Sequence, residues 1–289
     1  MIPFCSLQFA RSRDPLARVR DLCRAAIISS LVLTSTFCAA CSGRGDIASM
    51  PPRSGSASAA EGSANTGSGT ATSVLLFKGT GTSPNDVAAV ETILSSNHFD
   101  YSTVSSSQLN GMSELQIRQH RLFIVPGGNF IDIGNSLTAS ATANIRSAVH
   151  NGVNYLGICA GGFFAGNSGF NGLNLTSGVR FGFYSAETRG IRKAAVAIAG
   201  VGTPTLDQYW EDGPQFTGWG AVVGTYPDGT PAIVEGTFGS GWVVLAGFHP
   251  EAPASWRHGM TFATPVSVDN AYAGTVVRAA LNHESLSPH

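Results

Sequence analysis

Val153-Asn154-Tyr155-Leu156-Gly157-Ile158-Cys159-Ala160-Gly161-Gly162-Phe163-Phe164-Ala165-Gly166 sets a thiol between a short apolar run and a pair of glycines. The run has the length of a buried strand, and the residues after the glycines are apolar and compatible with a helix, so the stretch reads as strand, sharp turn, helix. Gly157 and Gly161 flank Cys159 in a G-x-C-x-G pattern, the thiol counterpart of the G-x-S-x-G nucleophile elbow, where small neighbours let the backbone bend and expose the nucleophile. At the carboxyl end of a parallel strand and the amino end of a helix, such a thiol sits where ligands bind in open α/β sheets and where the helix dipole favours a thiolate. The competing reading is that Cys159 is a small buried hydrophobe in a glycine-rich turn.

Upstream of this stretch the chain predicts alternating strands and helices. Ser73 to Gly79 reads as a continuous buried strand. Ser83 reads as the N-cap of a helix with Pro84 in its first turn and an apolar stripe of Val87, Val90, Ile93 and Leu94. A strand over Phe99 to Val104 and a short helix from Ser113 follow. Leu122 to Val125 forms a third strand that ends in Pro126-Gly127-Gly128-Asn129, and a helix over Thr138 to His150 leads into the elbow strand. This order predicts an α/β fold with a doubly wound, mostly parallel sheet, in which the Leu122 and Asn154 strands lie side by side and bring Gly128 and Cys159 together. Beyond the elbow, short segments around Val179 to Phe183, Ala194 to Ile198, Ala221 to Thr225, Ala232 to Val234 and Trp242 to Leu245 are separated by turn residues. They predict an added antiparallel β region, one or two strands of which rejoin the main sheet. A helix over Asn270 to Asn282 closes the domain.

The first quarter of the chain has a different character. Met1 to Arg24 carries five arginines against two aspartates, followed by an apolar run from Ala25 to Phe37 and the small residues Cys38-Ala39-Ala40-Cys41-Ser42. The apolar run is shorter than the ~20 residues a membrane span needs, so residues 1–41 are expected to be an export signal. They resemble a bacterial lipoprotein signal, which would make Cys41 the lipidated residue and give the mature protein a membrane anchor. Residues 42–72 are nearly all Ser, Gly, Ala, Thr and Pro and read as a flexible linker, leaving residues 73–289 as the folded domain. Of the five cysteines only Cys159 falls in that domain, so no disulfide framework is expected. A formal charge of -1 without a basic run argues against nucleic-acid binding. No phosphate loop, dinucleotide fingerprint or metal-ligand spacing is present, and neither cofactor nor metal is expected.

Three pieces follow one another in chain order: Pro126-Gly127-Gly128, Gly157-Ile158-Cys159-Ala160-Gly161-Gly162, and His249-Pro250-Glu251. Together they resemble the class I glutamine amidotransferase-like fold, a flavodoxin-like architecture. Cys159-Ala160-Gly161-Gly162 and Tyr209-Trp210-Glu211-Asp212-Gly213-Pro214 are most similar to the biotin-protein ligase N-terminal-domain-like family. The resemblance implies Cys159 as nucleophile, His249 as its base, Glu251 as the group that orients the histidine, and backbone N–H groups of Ala160 and of Gly127 or Gly128 as the oxyanion hole. It also marks a departure: Phe163 stands where glutaminases of this class carry Gln, so glutamine is not the expected substrate. Phe163, Tyr209, Asp212 and Gln215 are candidate pocket residues. Two functions remain open on this reading. One is an exported cysteine hydrolase acting on an amide or related acyl bond of a small molecule or peptide, and the other is a non-catalytic binding module on the same fold.

Overall fold

The computed structural model describes residues 72–202 and 205–286. The expected leader, Cys41 and all of the linker before Thr72 lie outside the described residues.

The strand-forming power of the apolar runs is realised first. β1 (Val74–Phe77), β3 (Leu122–Val125) and β4 (Asn154–Ile158) are buried at every position, as parallel strands covered on both faces must be. With β2 (Tyr101–Val104) they form half of a seven-stranded sheet ordered β2-β1-β3-β4-β11-β10-β9, where β9 is Ala221–Thr225, β10 is Pro231–Phe238 and β11 is Gly241–Ala246. β1, β2, β3, β4 and β11 run parallel, while β10 and β9 continue the sheet antiparallel to their neighbours. The expected pairing of the Leu122 and Asn154 strands is thus present, with Val125 opposite Gly157.

Alternate strand residues feed two cores. Leu76, Ile124, Leu156 and Val244 pack against α1 (Pro84–Ser96) and α8 (Val266–Asn282), whereas Phe77, Phe123, Tyr155 and Leu245 pack against α5 (Ala139–His150) and α6 (Ala160–Ala165). Helices on both faces of a parallel sheet make this a doubly wound α/β domain. Among the described residues no helix is long and apolar enough to cross a membrane.

Several elements differ from the sequence reading. α2 (Ser106–Gly111) was hidden in a serine-rich run, although Ser105 and Gln108 form a capping box there; α3 (Glu114–Ile117) starts after Ser113 as expected. α4 (Phe130–Ser136) contains Gly134, whose missing Cβ leaves room for the carbonyl of Phe170. The expected strand over Val179 to Phe183 shrinks to β5 (Gly182–Phe183), followed by α7 (Ser185–Thr188). β6 (Lys193–Ile198) pairs antiparallel with β7 (Leu206–Glu211), which its polar residues had concealed, and β8 (Pro214–Gln215) pairs with β5. Three late strands join the main sheet rather than one or two, and α8 begins four residues before Asn270. There Pro265 fixes the entry, and Asp269 is bonded to Thr264 and Arg257.

The candidate active site

The sheet order reverses between β1 and β3, so the loops after these two strands diverge and open a crevice at their carboxyl ends, the usual ligand position in such folds. β4 and β11 end on the same side and deliver Cys159 and His249. Four parallel strands therefore supply the crevice floor.

Cys159 has φ +48° and ψ -104°, a conformation that a side-chain-bearing residue adopts only under constraint. The constraint is visible in its neighbours. A Cβ on Gly161 would lie 2.0 Å from the carbonyl oxygen of Val125, and one on Gly157 would lie 2.6 Å from that of Gly161, so the turn closes only if both are glycine. A hydrogen bond from Cys159 N to the Ala246 carbonyl at 2.8 Å ties the bend to β11. The Cys159 thiol donates to the carbonyl of Glu211 at 3.5 Å and is 6% exposed.

His249 is buried and anchored through its backbone, its N–H donating to the carbonyl of Tyr209 on β7 at 2.8 Å. Its Nδ1 lies 2.9 Å from Glu251 Oε1 and 3.2 Å from Asp86 Oδ1, so Nε2 is the nitrogen left to engage Cys159. Burial by itself would lower the pKa of His249, but Cys159, Glu251 and Asp86 together raise it well above its ordinary value. The two carboxylates respond differently. Burial raises both, and in Glu251 it prevails over the attraction of His249, aided by repulsion from Asp86. In Asp86 the hydrogen bond and charge of His249, with help from Ser83, prevail and hold the carboxyl below its usual range.

Asp86 was legible in the sequence only as an acidic residue in the first turn of a helix. Its role at the site depends on Gly127: a Cβ there would lie 2.0 Å from Asp86 Oδ1 and 2.7 Å from His249 Cε1. Gly127 thus makes room for the carboxylate and the ring, whereas Gly128 and Ala160 line the cleft itself beside Cys159. Asp86, His249 and Glu251 offer donor atoms within 4.8 Å of one another, the ligand types a divalent cation takes. His249 Nδ1 is hydrogen-bonded to Glu251 Oε1 and ion-paired with Asp86 Oδ1, while Asp86 Oδ1 and Glu251 Oε2 are buried without a hydrogen-bond partner.

The cleft above these groups has a volume of about 760 Å³, within the range of small-molecule sites. Phe163, Tyr209 and Asp212 line it, together with Phe130, Phe183, Arg192, Lys193, Glu211 and Trp256. Gln215 does not; its side-chain oxygen accepts from the backbone N–H of Thr217. Tyr209 and Glu211 stand on β7, a strand laid across the site, and the Tyr209 hydroxyl donates to the Glu211 carboxylate.

Residues 72–192 match the family described as "Biotin-protein ligase, N terminal". That segment is similar to the family over less than half of the chain. The matched segment holds Asp86, Gly127, Gly128 and Cys159 and stops short of His249 and Glu251, which the rest of the same α/β domain supplies. A solved structure titled as a glutamine amidotransferase is similar at 19% identity, covering 62% of this chain and 90% of its own, with a TM-score of 0.49. An exo-beta-1,4-mannosidase from Opitutaceae bacterium strain TAV5 (16% identity, 73% of this chain, 36% of its own, TM-score 0.43) is similar too. So is a beta-galactosidase from the Antarctic haloarchaeon Halorubrum lacusprofundi (15%, 73%, 31%, 0.43). No curated protein matches the sequence.

Proposed function

We propose that the domain is a cysteine-dependent acyl-transfer enzyme, a hydrolase of an amide or related acyl bond, with Cys159 as nucleophile. The observation that carries this reading is the His249 ring, which lines the same cleft as Cys159 at its strained elbow while two buried carboxylates face the ring's Nδ1. A ring so placed holds a proton in one tautomer and orientation, which is what thiol chemistry requires of its partner.

In the proposed reaction the proton of Cys159 passes to His249 Nε2 and the sulfur attacks the acyl carbon. The developing oxyanion faces the N–H of Ala160, at a helix start where backbone donors lack intrahelical partners, and the backbone of Gly128. The carbon–nitrogen or carbon–oxygen bond breaks as His249 returns its proton to the leaving group, giving a thioester on Cys159. Water then attacks that thioester, losing its proton to His249, and releases the acid and the thiol. Glu251 and Asp86 orient the ring and stabilise its charged form.

Incubation with an activated acyl ester and intact-mass measurement tests the reading. An acyl adduct on Cys159 that is absent in Cys159→Ala and slow to form in His249→Ala supports it, whereas no adduct on the folded wild-type protein overturns it. In that event the non-catalytic binding module takes its place, a reading favoured by the bond from the Cys159 thiol to the Glu211 carbonyl and by the burial of the sulfur.

The basic, apolar and small-residue succession of residues 1–41 supports export, with Cys41 as lipid anchor. Mass spectrometry of the protein from its native membranes is expected to find a terminus at lipidated Cys41; an intact Met1 terminus would refute export, and a free thiol on a processed terminus would refute the anchor alone.

A further inference from the structure

We infer that the cleft contains a subsite for an aromatic or bulky apolar acyl group, formed by Phe130, Phe163 and Phe183 beside Cys159; the inference deepens the acyl-transfer reading and rests on it for the identity of the group.

Phe163 lies four residues after Cys159, in the first helical turns beyond the elbow, and its ring lines the cleft. Phe130 stacks on it with centroids 4.8 Å apart and planes 24° apart, and Phe183 packs on it from a further direction, also at 4.8 Å. The three rings make one continuous apolar wall. Asn129, the polar residue adjoining this wall, is committed elsewhere, since its side-chain oxygen caps α4 through the N–H groups of Ile131 and Asp132.

Phe183 is the telling member, because packing on Phe163 uses only part of its ring. It is 43% exposed, while the aromatic residues on either side of it in the chain are buried: Phe181 packs edge-on to Phe216 at 4.9 Å, and Tyr184 stacks on Tyr226 at 3.9 Å. Pairing of Gly182 and Phe183 with β8, and a hydrogen bond from Tyr184 N to the Gly213 carbonyl at 3.0 Å, pin the backbone in between. A large ring left open to water on a segment pinned on both sides gains its hydrophobic burial only when something apolar enters the cleft. The cleft also carries polar side chains, Arg192 paired with Asp212 at 2.7 Å, Lys193 and Glu211, and these suit a polar leaving portion. The substrate class that fits both is an amide or ester of an aryl-alkyl or bulky aliphatic acid with a polar leaving group.

Binding of phenylacetamide and acetamide to folded Cys159→Ala protein, measured by calorimetry, tests the subsite without calling on thiol chemistry. Phenylacetamide is expected to bind at least about tenfold more tightly than acetamide, the effect of burying most of one ring, and to lose most of that preference in Cys159→Ala/Phe183→Ala and in Cys159→Ala/Phe163→Leu. Phe183 is exposed enough for its variant to fold, which circular dichroism checks. Equal binding of the two amides, or a preference that both double variants retain, overturns the subsite. Failure of the enzyme reading is scored separately: if 1-chloro-3-phenylpropan-2-one leaves Cys159 of the wild type unmodified while the phenylacetamide preference holds, the subsite stands as the ligand site of a binding module.

Discussion

His249 meets three groups that favour its charged form, and this sets a pH dependence of stability. Its pKa in the folded protein lies above the ordinary 6.5 despite burial, so the folded state binds the proton more tightly than the unfolded state. The resulting stabilisation is complete below about pH 6.5 and is lost as pH rises toward the folded value. Glu251, raised from 4.5 chiefly by burial, acts in the same sense from a lower pH. Asp86, held below 3.8, acts in the opposite sense, its contribution being lost only as acid protonates it. Urea denaturation between pH 6 and 9 is therefore expected to show stability declining with pH in the wild type and a flatter profile in His249→Gln. A second expectation concerns Gly127. In Gly127→Ala the new methyl must displace the Asp86 carboxylate or the His249 ring, at a cost of about 1–3 kcal/mol typical of overpacking. Iodoacetamide labelling of Cys159 at neutral pH is expected to slow in that variant far more than the fall in melting temperature accounts for.

The elements that sequence patterning revealed are those whose burial is uniform. β1, β3 and β4 are apolar at nearly every position because helices cover both faces, and α1 and α5 announce themselves through their caps and apolar stripes. β7 stayed hidden because polar residues interrupt its apolar pattern: Asp207 Oδ2 accepts from Ala263 N at 2.7 Å, Glu211 lines the cleft, and Gln208 is buried with its side-chain amide unpartnered. The Cys159, His249 and Glu251 constellation was legible from local motifs, whereas Asp86 was not, since only the crossing of β1 and β3 loops brings it to the ring. The segment after Glu251 shows the same dependence on long-range partners. A 3-10 turn, Ala254–Arg257, presents Trp256 to the cleft and is held by the ion pair of Arg257 with Asp269, both nearly buried, and by Arg257 Nη1 donating to the Thr264 carbonyl at 3.1 Å. Asp269→Ala leaves the guanidinium without its charge partner and is expected to destabilise the domain by about 3 kcal/mol. Limited proteolysis should then cut within residues 254–264 before any other part of the domain, a pattern to be read by peptide mass.

At the scale of the molecule, the two cores meet across one sheet whose centre is β4, flanked by β3 and β11. Leu156, fully buried there, is expected to cost about 2–5 kcal/mol when replaced by alanine, measured by urea denaturation. The same position of β4 bears on how the chain comes into being. Its neighbour on one side precedes it closely in sequence, but its neighbour on the other, β11, leaves the ribosome more than eighty residues later. Until residues 241–246 emerge, β4 is an open sheet edge with unpaired backbone groups, and distant pairings of this kind are slow to form. A nascent chain stalled before β11 therefore presents an adhesive strand next to a thiol that lacks its histidine. Completion of the sheet seals that edge and brings His249 to Cys159 in one event, so the candidate site is assembled only when synthesis is nearly finished.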